Sequence, residues 1–160
     1  MNNYFPFNTI SFHRNTKYGK DLFLEDFSQD VLNAYNILQD CKLSILCCNS
    51  TYPNLNYNEI DLQLIPIYKK RYPNCSIGYR GHEIGILPSI VAYSMGAEII
   101  ERHITLNKNM QGADHKASLE PNELKELITS MKYIDQMKTG KDIKTLYKTE
   151  IEMKNKLKGK

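Results

Sequence analysis

Ser76-Ile77-Gly78-Tyr79-Arg80-Gly81-His82-Glu83 opens the stretch whose reading decides the fold, and Ala97-Glu98-Ile99-Ile100-Glu101-Arg102-His103-Ile104-Thr105 closes it. Each short apolar run ends on a histidine, and the two histidines stand 21 residues apart. Cys75–Tyr79 and Glu98–Ile104 read as strands. Between them Ile84–Met95 has helical length, carries Pro88 near its start and stops at Gly96, a residue type favoured just past a helix end. That is one βαβ step. A parallel α/β sheet built this way sets both imidazoles at the carboxyl ends of neighbouring strands, on the rim where such folds do their chemistry. A lone histidine at a strand end is most often a hydrogen-bonded structural residue. Two at one βαβ period carry more weight, because a shared rim lets them hold one divalent metal.

The chain to either side continues the alternation. Phe27 to Leu38 is helix-like, with Phe27, Val31, Ala34, Tyr35 and Leu38 at three- and four-residue steps. Leu43–Cys48 reads as a buried strand, followed by the turn-rich Asn49-Ser50-Thr51-Tyr52-Pro53-Asn54. Glu59–Arg71 reads as a second helix, in which Pro66 implies a bend or a late true start. After the two histidine strands comes a long loop, Leu106–Leu119, containing Gly112-Ala113-Asp114-His115-Lys116. A last long helix starts at Glu120-Pro121 and turns Leu124, Leu127, Ile128, Met131 and Ile134 inward. The order predicts an α/β fold with a parallel sheet and right-handed crossovers, in which only three strands are visible.

Composition bounds the rest. The 160 residues are 41% apolar and 24% charged, ordinary globular values. The net charge of +3 is uneven: residues 138–160 hold eight lysines and a net +5, leaving −2 for the remainder. Without interleaved aromatic residues that tail reads as a solvated, helical or disordered end rather than a nucleic-acid surface. Residues 1–25 read as an irregular segment, 26–137 as the folded domain. The cysteines at 41, 47, 48 and 75 form no CxxC pair and read as buried thiols in a reducing compartment. No signal peptide and no membrane-spanning run is apparent, so a cytoplasmic protein with no membrane partner is expected.

Four motifs in order resemble one family. Cys48-Asn49-Ser50-Thr51-Tyr52-Pro53, Gly78-Tyr79-Arg80-Gly81-His82-Glu83, Ile100-Glu101-Arg102-His103-Ile104-Thr105-Leu106 and Gly112-Ala113-Asp114-His115-Lys116-Ala117-Ser118-Leu119-Glu120-Pro121 resemble the N-acetylneuraminate (sialic acid) synthases over roughly residues 26–137. The resemblance implies the last three βα units of a TIM (β/α)8 barrel. It implies a transferase that condenses phosphoenolpyruvate with N-acetylmannosamine, or its 6-phosphate, to N-acetylneuraminate or its 9-phosphate, working as a homodimer. A divalent ion, Mn²⁺ or Mg²⁺, is implied as Lewis acid, with His82 and His103 as its protein ligands and the catalytic pair. Ser50, Tyr52, Arg80 and Asp114 fall at positions that contact the substrates.

Two departures shape the expectation. The family motif has serine where this chain has Arg80, and arginine there either adds a bidentate phosphate contact or fills the pocket and repels the metal. The second outcome is favoured. Segments matching the family's early strands, which supply phosphoenolpyruvate ligands, are absent, and three strands alone expose two apolar edges. The chain is therefore expected to be incomplete as an enzyme, needing a complementing synthase chain. The alternative is a degenerate module that binds a sugar, a metal or a synthase without turnover.

Overall fold

The computed structural model describes residues 9–13, 28–38, 42–138, 140 and 143–159. Three strands, β2 (Ser44–Cys48), β3 (Ser76–Gly81) and β4 (Ile99–His103), lie parallel and adjacent. Helices α1 (Ser28–Leu38), α2 (Leu64–Arg71), α3 (Leu87–Ser94) and α4 (Pro121–Met137) alternate with them. The α/β fold of alternating units is thus the one the apolar periodicity predicts. One strand was not legible. Within the stretch read as irregular, Thr9–His13 forms β1 and pairs antiparallel with β4, giving the sheet order β1-β4-β3-β2. The β4 edge is therefore paired, where the three-strand reading leaves it open. Residues 1–8, 14–27 and Cys41 lie outside the described residues, so the helical start at Phe27 and the thiol at 41 do too.

Strand alternation sorts the sheet into two faces. Ile45, Cys47, Ile77, Tyr79 and Ile100 point to the helices, where they join Val31, Ile65, Tyr68, Ala92, Leu127, Met131 and Ile134 in one core. The opposite face carries Leu46, Gly78 and Ile99, all buried, and then Cys48, Arg80 and Glu101 in register near the strand ends. Gly78 is required there: a Cβ on it would meet the Cβ and carbonyl oxygen of Ile99, both at 2.8 Å.

The helices start and stop where local chemistry allows. Of the two readings of Pro66, the late start holds: α2 begins at Leu64, after a 3-10 turn at Tyr57–Glu59. Pro88 sits in the first turn of α3, which ends before Gly96 at φ 105°. In α4, Glu123 accepts the backbone N–H of Glu120 at 2.9 Å, closing the first turn. Lys148–Leu157 is a fifth helix, α5, with none of its residues buried. Cys47 is buried and Cys48 and Cys75 half-buried, none of the three in a disulfide.

Candidate functional site

The chemistry-bearing side chains meet at the carboxyl ends of β2, β3 and β4. His103 is the last residue of β4, and His82 follows β3 by one residue. Both are buried. Their rings are nearly parallel, with centroids 5.6 Å apart. The one-rim placement follows from the parallel register, since Gly81 lies opposite Arg102.

The loop after β2 completes the site because it is tied to the segment after β3. The Asn54 N–H donates to the His82 carbonyl at 2.9 Å, and Asn54 and Glu83 bridge in parallel. Asn49 folds the loop with its side chain, accepting from the Thr51 N–H at 2.9 Å and donating to the Glu59 carbonyl at 3.0 Å. Its own carbonyl faces His82 Nδ1 at 2.8 Å. A carbonyl only accepts, so Nδ1 carries the proton and Nε2 presents its lone pair. The Tyr52 hydroxyl lies 2.5 Å from His82 Nε2 and 3.2 Å from His103 Nε2, joining the two imidazoles.

Arg80 enters the same point from the sheet. Its Nε donates to His82 Nε2 at 3.1 Å, and one terminal nitrogen donates to the Tyr52 hydroxyl at 3.3 Å. Behind it, Nε lies 3.2 Å from the carboxylate of Glu101, which is almost wholly buried. Burial, opposed by the hydrogen bond to the Asn49 carbonyl and reinforced by the Arg80 charge, pushes the His82 pKa down to about 4. Burial also lowers His103, against the opposing carboxylate of Asp114, and raises Tyr52. The rim is thus two neutral imidazoles and a phenol around one guanidinium.

A second, fully buried cluster fixes the loops that carry these groups. Arg102 faces the helices and ion-pairs with Glu83 at 2.8 Å. It also donates to the carbonyls of Gly85, Glu83 and Ala117, at 2.7, 2.7 and 3.1 Å. One guanidinium therefore pins both the turn into α3 and the end of the 106–119 loop. That loop returns to β4 through Leu119 N–H to His103 carbonyl, 2.8 Å. The return places Asp114, in a 3-10 turn, within electrostatic reach of His103 and Tyr52.

Of the residues singled out in the sequence, His82, His103, Tyr52 and Arg80 are brought into contact, and Asp114 lies close by. Ser50 is exposed on the loop, outside the hydrogen-bonded cluster. Glu101 and Asn49 belong to the site and were missed. The signal for Glu101 was its two-residue offset from His103, which puts both on one face while Arg102 turns away. His115, read as a surface residue, is half-buried, with Nδ1 2.8 Å from the Thr105 hydroxyl.

A divalent ion does not fit this arrangement. Among the described residues no group of three or more His, Cys, Asp or Glu side chains converges as a metal site. The His82 lone pair that would serve as ligand already faces the Tyr52 hydroxyl and the Arg80 N–H.

Comparison with known proteins places the chain. N-acetylneuraminate-9-phosphate synthase of Homo sapiens is 36% identical over 160 residues, covering 97% of this chain and 43% of that protein. N,N'-diacetyllegionaminic acid synthase of Campylobacter jejuni is 40% identical over 128 residues, 76% of this chain and 37% of that protein. The chain thus spans less than half the length of these curated relatives. The crystal structure of N-acetylneuraminic acid synthetase from Leptospira borgpetersenii, solved with citrate, superposes with a TM-score of 0.73 at 31% identity, covering 88% of this chain and 50% of that one. That likeness fits the reading of the sheet as part of a barrel. The NeuB family model matches residues 26–144, which takes in α1 to α4 and the whole histidine rim. On that match, this chain belongs to the NeuB family.

Proposed function

We propose that this chain carries the substrate-facing rim of an enzyme that condenses phosphoenolpyruvate with N-acetylmannosamine, or its 6-phosphate, to N-acetylneuraminate, or its 9-phosphate, with release of phosphate. The observation that carries the reading is the meeting of His82 and His103 on the Tyr52 hydroxyl at the ends of two adjacent strands. The activities named for the relatives support it.

In that reaction the terminal CH2 carbon of phosphoenolpyruvate forms a bond to the sugar's aldehyde carbon, water adds at the adjacent phosphate-bearing carbon, and the bond from that carbon to the phosphate oxygen breaks. Tyr52, Ser50 and Asp114 would hold sugar hydroxyls, and Arg80 would face the anionic substrate. The lone pair of the neutral His82 imidazole would accept the proton released by the adding water, and the aldehyde oxygen would take up its proton through the Tyr52 hydroxyl. The Mn²⁺ or Mg²⁺ implied by the resemblance would find the His82 lone pair engaged by Tyr52 and Arg80. Three non-disulfide cysteines accord with a cytoplasmic setting. Among the described residues no helix is long and apolar enough to cross a membrane.

Full turnover needs more barrel than these three βα units supply. The guanidinium on His82 favours a second reading, a module that binds substrate without turning it over. Titration calorimetry with phosphoenolpyruvate and with N-acetylmannosamine, beside a phosphate-release assay, tests both. Binding weakened by Asp114→Asn supports the shared rim, and phosphate release separates enzyme from module. No binding of either compound to the folded chain sinks both.

A further inference from the structure

Arg80 sits where a metal ion would have to sit. A divalent ion held by His82 and His103 must take the lone pair of His82 Nε2, because Nδ1 is committed to the Asn49 carbonyl. That lone pair instead faces two donors, the Tyr52 hydroxyl at 2.5 Å and the Arg80 Nε–H at 3.1 Å, and only the second brings a positive charge. The same guanidinium reaches the Tyr52 hydroxyl, which bridges the two histidines. A metal cannot enter beside it, since a dication would then lie against a fixed positive charge.

Nor is the guanidinium easily displaced. Its Nε is 3.2 Å from the carboxylate of Glu101, whose side chain is 3% exposed. Swinging Arg80 outward would take an ion pair away from that buried carboxylate. Mn²⁺ and Mg²⁺ gain little from two imidazoles, being hard ions that favour oxygen ligands. The internal cation therefore outcompetes the external one.

We infer that Arg80 closes the His82–His103 pair to divalent metal. The wild-type rim is a metal-free site whose positive charge is a guanidinium held by Glu101, and removing Arg80 uncovers a two-histidine site for a divalent ion. The assignment concerns the rim proposed above as the substrate site. It is read without substrate, so its failure and the failure of that reading are separate results.

The experiment is Mn²⁺ titration of the full chain, followed by electron paramagnetic resonance, with a circular-dichroism melt on each protein. Wild type is expected to take up no stoichiometric Mn²⁺. Arg80→Ser is expected to bind one ion per chain at least about tenfold more tightly than wild type, and to lose it when His82→Ala is added. Should Arg80→Ser unfold on losing the ion pair with Glu101, the double variant Arg80→Ser/Glu101→Gln removes that buried charge and carries the same expectation. One Mn²⁺ on wild type that His82→Ala abolishes overturns the inference. So does a folded Arg80→Ser or double variant that binds no better than wild type.

Discussion

Arg102 and Glu83 meet at 2.8 Å with neither side chain exposed to solvent. Both side chains lie on the helix side of the sheet, opposite the histidines. Glu83 also accepts from the Tyr79 hydroxyl at 2.8 Å and from the Ser89 hydroxyl at 3.2 Å, so its carboxylate is ringed by donors. The pair forms the hidden anchor of the rim.

Removing one partner leaves an uncompensated buried charge. Arg102→Met is expected to cost about 3–5 kcal/mol, a large part of a domain's whole stability. Urea unfolding followed by circular dichroism measures it. A loss below about 1 kcal/mol would mean that the pair does not carry the loops.

Acid should weaken the fold through the rim histidines. His82 has an ordinary pKa of 6.5 and is held down to about 4 in the folded chain. Between those values the unfolded chain binds the proton and the folded one does not, so stability is full above about pH 6.5 and erodes as pH falls toward 4. The contribution is on the order of 3 kcal/mol at most. His103 acts in the same direction. Urea midpoints at pH 7 and pH 5 should differ more for wild type than for His82→Gln.

The His82 tautomer should be visible by nitrogen NMR. With the Asn49 carbonyl at 2.8 Å, the ring is expected as the Nδ1–H form near neutral pH. Tyr52→Phe should leave that tautomer unchanged and cost about 1 kcal/mol through the lost hydroxyl. An Nε2–H ring in wild type would contradict the loop's placement.

Glycine tolerance should differ sharply between two positions. Gly78→Ala drives a methyl into Ile99 and toward Leu46, and is expected to cost about 2 kcal/mol or more. A Cβ at Gly140 meets nothing within 4 Å, so Gly140→Ala should be close to neutral. Paired thermal melts decide it.

The alternation of elements was legible because each buried face repeats at its own period. Ile45, Cys47, Ile77 and Tyr79 mark two-residue steps, while Leu127, Met131 and Ile134 mark helical ones. The strand Thr9–His13 was not, since five residues give little period and its partner β4 lies far along the chain. The rim histidines followed from the βαβ spacing. The contact between Arg80 and His82 did not, because a long side chain's path depends on what it meets. Here that is Glu101, brought alongside by the β3–β4 register.

The antiparallel strand has a consequence for how this sheet can grow. A closed (β/α)8 barrel has every strand running the same way, and β1 runs against β4 at five paired positions. Any further parallel strand on that side must first peel β1 away, a donor-for-donor exchange of backbone hydrogen bonds. Among the described residues β2 has no second neighbour, so extension there displaces no described strand. Growth of this sheet is polar: one flank is plugged, the other is a socket.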